Sequence, residues 1–125
     1  MTPVDRNLSG AVLPFDLKAE LRTAREELKP GPSRMARTLV KEGPLRLTLI
    51  GLGPGGTIRP HQSESPITIQ VLEGEILLEA AGDVHRLTDG SLVALDGGAR
   101  HAVSAPLGGF FLLTLAGRER SEVGS

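Results

Sequence analysis

Apolar residues recur with two different periods along this chain, and the change of period divides it into two parts. Between Phe15 and Leu28 they recur at every third or fourth position, which predicts one amphipathic helix with Asp16 as its N-cap. The segment Lys29–Pro32 ends this helix, because proline cannot continue the hydrogen-bond ladder. From Ser33 onward, short apolar runs alternate with glycine and proline turns, a pattern typical of an all-β barrel or sandwich.

The β part is predicted to contain about eight or nine short strands. The predicted strands include Arg34–Lys41, Leu45–Leu52, Ile67–Leu72, Glu75–Ala81, Val84–Leu87, Leu92–Leu95, His101–Ala105 and Phe110–Leu115. Glu73 and Gly74 predict a hairpin turn between the third and fourth of these. We therefore expect an N-terminal arm and helix over residues 1–32, a barrel over residues 33–116 and a flexible tail over residues 117–125.

Composition excludes several classes of function. The 125 residues suit one domain, and an apolar fraction of 39% is enough for one core. A net charge of −1, with three Phe and no Trp or Tyr, argues against nucleic-acid binding. The lack of cysteine excludes disulfides and thiol nucleophiles. No segment reads as a signal peptide or a membrane span, so we expect a cytoplasmic protein with no membrane partner.

Histidine supplies the candidate chemistry, because it ligates metals and exchanges a proton near neutral pH. His61 and His101 each follow a glycine-rich turn where a strand is expected to enter the barrel, whereas His85 reads as an ordinary surface residue. Alternate residues of a strand share a face, which places Ser63 and Arg59 with His61. We therefore expect the two histidines to lie close together at the polar end of an apolar pocket. The predicted ligand-binding residues are His61, His101, Ser63, Arg59, Ile67, Ile69, Val71, Val103 and Leu113.

Two of these predictions have a plainer alternative. The histidines are either the polar end of a ligand pocket or barrel residues that hydrogen-bond to each other, to Ser63 or to water. Arg59 either reaches into the mouth to bind a carboxylate or phosphate, or forms a salt bridge on the rim. No catalytic residue is assigned.

Two stretches of the sequence resemble the two motifs of the cupin superfamily. The first motif runs from a glycine through His-x-His and a glutamate to a closing glycine, and here His61 takes the first histidine position and Gly74 the closing glycine. The second motif runs from a glycine through a turn to a histidine, and here Gly90 and His101 match it. The chain is similar to small single-domain bacterial cupins of the RmlC-like type. The resemblance implies a double-stranded β-helix, or jelly-roll barrel, with one N-terminal α-helix.

The resemblance also implies an incomplete metal-ligand set. Ser63 stands at the second histidine position of the first motif and Ile67 at the glutamate position, so His61 and His101 remain as metal ligands. Two imidazoles hold a divalent transition metal only weakly. The sequence therefore does not assign a cofactor beyond a weakly bound metal of this kind. The first functional hypothesis is a small-molecule binding protein with a sensing or carrier role. The alternatives are a metal-dependent oxygenase or isomerase and a scaffold without a ligand. A homodimer is expected, because small cupins commonly dimerise.

Overall fold

The computed structural model describes residues 12–117, which form one helix and eight strands. In chain order these are α1 (Leu17–Glu27), β1 (Arg34–Glu42), β2 (Leu45–Leu52), β3 (Gly56–Gln62), β4 (Ile67–Ala80), β5 (Asp83–Thr88), β6 (Leu92–Leu95), β7 (Arg100–Ala105) and β8 (Gly109–Ala116). Residues 1–11 of the predicted arm and 118–125 of the predicted tail lie outside this described part. No helix within residues 12–117 has both the length and the apolarity needed to cross a bilayer.

Helix α1 begins where the sequence predicts. The Asp16 carboxylate accepts hydrogen bonds from the backbone N–H groups of Lys18 and Ala19, which would otherwise have no partner in the first turn. Leu21 and Ala24 of the predicted apolar stripe are buried against the outer face of β1, β2 and β8. The buried members of this cluster are Leu21, Ala24, Leu39, Val40, Leu49 and Phe110.

The strands form two antiparallel sheets that share β4. One sheet has the order β1-β2-β8-β4-β6, and the other has the order β3-β7-β4-β5. The main core draws its residues from both sheets, which is how a jelly roll buries apolar side chains without a covering layer of helices. The all-β jelly-roll prediction with one N-terminal helix is thereby confirmed.

The predicted hairpin at Glu73 and Gly74 is wrong. Residues 67–80 form one continuous strand, and the sequence signal marks a β-bulge inside it, at the register shift between Val71 and Glu73. Gly74 has φ +92°, a conformation that glycine adopts without the steric cost of a Cβ. The strand therefore bends at this point rather than reversing, and it passes from one sheet into the other.

The bulge also changes which residues of β4 face the core. Before it the buried positions are Ile67, Ile69 and Val71, whereas after it they are even-numbered, beginning with Ile76. One extra residue shifts the inward face of a strand by one position. The second half of β4 then pairs with β7 and sets Ala80 opposite His101.

Candidate functional site

The two motif histidines are neighbours across a pair of strands. β3 and β7 run antiparallel, and His61 lies directly opposite His101. Their ring centroids are 4.2 Å apart, with an angle of 62° between the ring planes. The predicted proximity of the two side chains is confirmed. His61, however, lies near the end of β3 rather than at the entry of a strand, whereas His101 is the second residue of β7.

Each histidine ring is oriented by a backbone carbonyl two residues earlier in the chain. His61 Nδ1 lies 3.0 Å from the Arg59 oxygen, and His101 Nδ1 lies 3.1 Å from the Ala99 oxygen. A carbonyl oxygen only accepts hydrogen bonds, so Nδ1 carries the proton in both rings. When the rings are neutral, each therefore has a lone pair on Nε2 that is free to accept a hydrogen bond.

The two imidazoles differ in their contact with solvent. His61 is exposed, whereas only 4% of the His101 surface is exposed. Burial lowers the pKa of His101, since the charged form loses hydration, and the proximity of His61 lowers this pKa further, while the hydrogen bond to Ala99 opposes the shift. At neutral pH His101 is therefore uncharged, and its Nε2 acts as a hydrogen-bond acceptor.

The histidine pair forms the polar end of a cavity between the two sheets. The cavity measures about 250 Å³ and is otherwise walled mainly by aliphatic and aromatic carbon. This is slightly below the ~300–1,000 Å³ that pockets for drug-sized ligands occupy, so it suits a smaller molecule. Its lining residues are Arg34, Ala36, Ile50, Ile58, His61, Ile69, His101, Val103, Phe111 and Leu113.

Five of the nine predicted ligand-binding residues line this cavity: His61, His101, Ile69, Val103 and Leu113. Whether they bind a ligand stays a prediction. His85 is exposed on β5, as expected of a surface residue.

Three predicted residues lie elsewhere. Val71 is fully buried in the core but does not line the cavity, and Ile67 borders a separate depression beside β6. Ser63 follows β3 in the connection to β4, where its hydroxyl accepts a hydrogen bond from Ser65 N–H and donates one to Ser65 O. Ser63 is therefore a turn residue, since its hydroxyl satisfies the local backbone.

The predicted placement of Arg59 beside His61 is also wrong, because β3 contains a bulge. Ile58 pairs with Val103 and His61 pairs with His101, so that Arg59 and Pro60 together face a single residue of β7. Proline has no N–H to donate to the ladder and is tolerated in a strand at an edge or a bulge. Ile58 consequently shares the inward face with His61, while the Arg59 side chain borders shallow depressions outside the cavity.

Five lining residues were not predicted: Arg34, Ala36, Ile50, Ile58 and Phe111. Pro60 is the signal that could have identified Ile58, because a proline inside a strand indicates a bulge and hence a change of face. Apolar and polar residues alternate only weakly along β1, so the sequence contains no comparable signal for Arg34 and Ala36. These two residues line the cavity because β1 approaches β3 in the folded chain.

The site falls short of a complete metal shell. Residues 12–117 contain no group of three or more His, Cys, Asp or Glu side chains placed to hold a metal ion. Catalytic zinc sites use three protein ligands, whereas this pair of histidines supplies two. The described residues alone therefore do not fit a tightly held catalytic metal.

Comparisons with known proteins agree with this architecture. Residues 48–107 match a family model described as a cupin domain, whereas a comparison with curated protein sequences finds no match. A conserved protein of unknown function from Streptococcus pyogenes has a TM-score of 0.71 and 23% identity, over 96% of this chain and 98% of that chain. An RmlC-like cupin from Shewanella frigidimarina has a TM-score of 0.66 and 20% identity, over 76% of this chain and 88% of that chain.

A salicylate 1,2-dioxygenase from Pseudoaminobacter salicylatoxidans, whose structure contains adducts with gentisate, is also similar. Its TM-score is 0.64 at 16% identity, over 80% of this chain and 30% of the dioxygenase. At these identities the structural likeness shows the fold alone. The matched span 48–107 contains both cavity histidines and the bulge at Gly74. Residues 48–107 are therefore a cupin domain within this jelly-roll barrel.

Proposed function

We propose that this protein binds a small, mainly apolar molecule in its barrel cavity, in a sensing or carrier role. The observation that supports this most directly is His101, which is almost completely buried and yet lines a cavity of about 250 Å³. Its Nδ1 is bonded to the Ala99 carbonyl, and its Nε2 has no partner among residues 12–117. The Nε2 lone pair is therefore available to accept a hydrogen bond from a ligand in the cavity, and one fixed acceptor in an otherwise apolar pocket orients such a ligand.

The proposal predicts that one substitution blocks binding. Ala36 borders the cavity from the edge strand β1, so Ala36→Phe is expected to fill it. Calorimetric screening of small acids, amides and alcohols should yield hits with the unsubstituted protein. At a concentration of 100 times its Kd, each hit should add about 2.7 kcal/mol to the free energy of unfolding. The melting temperature should rise accordingly. Ala36→Phe is expected to abolish this binding.

Ala94→Phe is the matched control, because Ala94 is an exposed alanine on the edge strand β6 that borders a different depression. It should keep the affinity of every hit within about twofold, as expected of a surface substitution. A screen without hits would contradict the proposal. Equal loss of binding in both variants would contradict the assignment of binding to this cavity.

A metal-dependent oxygenase or isomerase is the second candidate, and the ring orientations favour it. Both Nδ1 atoms bond to carbonyl oxygens, an arrangement that in metal sites leaves Nε2 as the ligating atom. The substrate would then have to complete the ligand shell. Under this hypothesis, elemental analysis of the purified protein should find a transition metal whose content falls severalfold in both His61→Ala and His101→Ala. A metal content that is unchanged by both substitutions would exclude the metal site.

The homodimer stays a prediction.

A further inference from the structure

We infer that the ligand is a small carboxylic acid with an apolar body, and that Arg34 rather than Arg59 holds its carboxylate. This inference rests on the binding function proposed above and specifies the class of ligand. Arg34 is the first residue of β1 and lines the cavity together with both histidines. It also borders, with His61, the depression immediately outside, so it lies on the rim where β1 approaches β3.

Arg34 has no counter-ion within the described part of the chain. The ion pairs between residues 12 and 117 engage Arg25, Arg37 and Arg86, and none involves Arg34. No aspartate or glutamate lines either the cavity or the depression outside it. A guanidinium in this position has its donors available for an incoming anion, and it disfavours a cationic ligand.

The shape of the anion follows from the rest of the cavity. A planar guanidinium binds a carboxylate through two parallel hydrogen bonds. The wall beyond Arg34 is carbon, from side chains such as Ile50, Ile69 and Phe111, and it has no charge to match a second anionic group. A hydrocarbon body therefore suits the interior, since burial of apolar surface contributes about 25 cal/mol per Å². The Nε2 atom of the buried His101 accepts a hydrogen bond, so a hydroxyl on that body adds a further contact.

Isosteric acid and amide pairs test this inference directly. The probes are benzoate against benzamide, and 4-hydroxybenzoate against 4-hydroxybenzamide, measured by titration calorimetry at neutral pH and low salt. The protein is expected to bind each acid at least about tenfold more tightly than its amide, because hydrogen bonds to charged groups are the stronger ones. Arg34→Gln should remove this preference and leave the affinity for the amide within about twofold.

Arg59→Gln is the matched control. It removes the same charge from the same end of the barrel, and it leaves intact the Arg59 backbone oxygen that orients His61. This variant should retain most of the acid preference. Arg34 and Arg59 are both exposed, and neither side chain makes a hydrogen bond or an ion pair within residues 12–117. Both variants should therefore fold with nearly unchanged melting temperatures.

The outcomes separate this inference from the binding function beneath it. If acids and amides bind with equal affinity and Ala36→Phe still blocks their binding, the carboxylate assignment is overturned and the binding function stands. An equal loss of acid preference in Arg34→Gln and Arg59→Gln would overturn the specific role of Arg34, because it would indicate a general positive field. If neither acids nor amides bind, the carboxylate assignment is overturned. The binding function is overturned with it only when the alcohols of the wider screen also give no hit.

Discussion

Gly74→Ala is expected to lower the free energy of unfolding by about 4 kcal/mol, a large part of the ~5–15 kcal/mol typical of a domain. Two separate costs add at this position. The backbone has φ +92°, and holding a residue with a Cβ in that region costs about 1–2 kcal/mol. The added Cβ would also lie 2.5 Å from the Gly108 oxygen and 2.7 Å from the Gly109 Cα. These are backbone atoms, so β4 and the turn before β8 would have to separate, at a further cost of about 1–3 kcal/mol or more.

Gly82→Ala separates the two costs. Gly82 has φ +83°, close to the value at Gly74, but an added Cβ there meets no atom within 4 Å. Only the conformational cost remains, so we expect a loss of about 1–2 kcal/mol. Urea denaturation of both variants, with the slope of the transition checked for constancy, measures the difference. Similar losses in the two variants would show that contact with the turn before β8 does not constrain the bulge.

The second large effect concerns Arg37, which is buried under helix α1. Its side chain is 5% exposed, and Nη1 donates a hydrogen bond of 2.8 Å to Glu20 Oε1. Nη2 lies 2.8 Å from Glu27 Oε1, but without the alignment of a hydrogen bond, and Nε is buried with no hydrogen-bond partner in residues 12–117. Glu20 therefore supplies the only well-aligned bond that this buried cation makes within the described chain.

Glu20→Ala is expected to destabilise the fold by about 2–3 kcal/mol, because it leaves a buried charge with a single, poorly aligned partner. This is below the ~3–5 kcal/mol typical of a broken buried pair, since Glu27 remains. Arg37→Met should cost less than Glu20→Ala. Methionine suits the apolar site, and the two carboxylates released are more exposed than the arginine was, at 19% and 38%.

Thermal and urea denaturation of the two variants test this order of stability. Glu26→Ala is the control, because Glu26 is an exposed glutamate on the same helix with no ion pair inside residues 12–117, and its loss should stay within about 0.5 kcal/mol. If Arg37→Met proves more destabilising than Glu20→Ala, Arg37 itself contributes net stability. That result would contradict the explanation that Glu20 stabilises the fold mainly by pairing with a buried charge.

Much of the fold could be predicted from local sequence patterns. The helix and its N-cap at Asp16 were predictable because a cap depends on a few consecutive residues. The strand at Leu45–Leu52 was predicted with its observed bounds, since its apolar run lies between clear turn signals. At Gly74 the same local signal allowed two outcomes, a hairpin turn or a bulge, because both use a glycine at positive φ.

The candidate site could likewise be predicted only in part. By itself, the sequence determined that His61 and His101 meet, because two glycine-bounded motifs in cupin order place them on paired strands. Only the tertiary structure decided which residues surround them. The rule that alternate residues share a face holds only along a strand without a bulge. The bulge at Pro60 moves Arg59 out of the cavity and Ile58 into it. Arg34 joins the histidines because β1 and β3, distant in sequence, approach at one mouth, and a packing contact of that kind has no period along the chain.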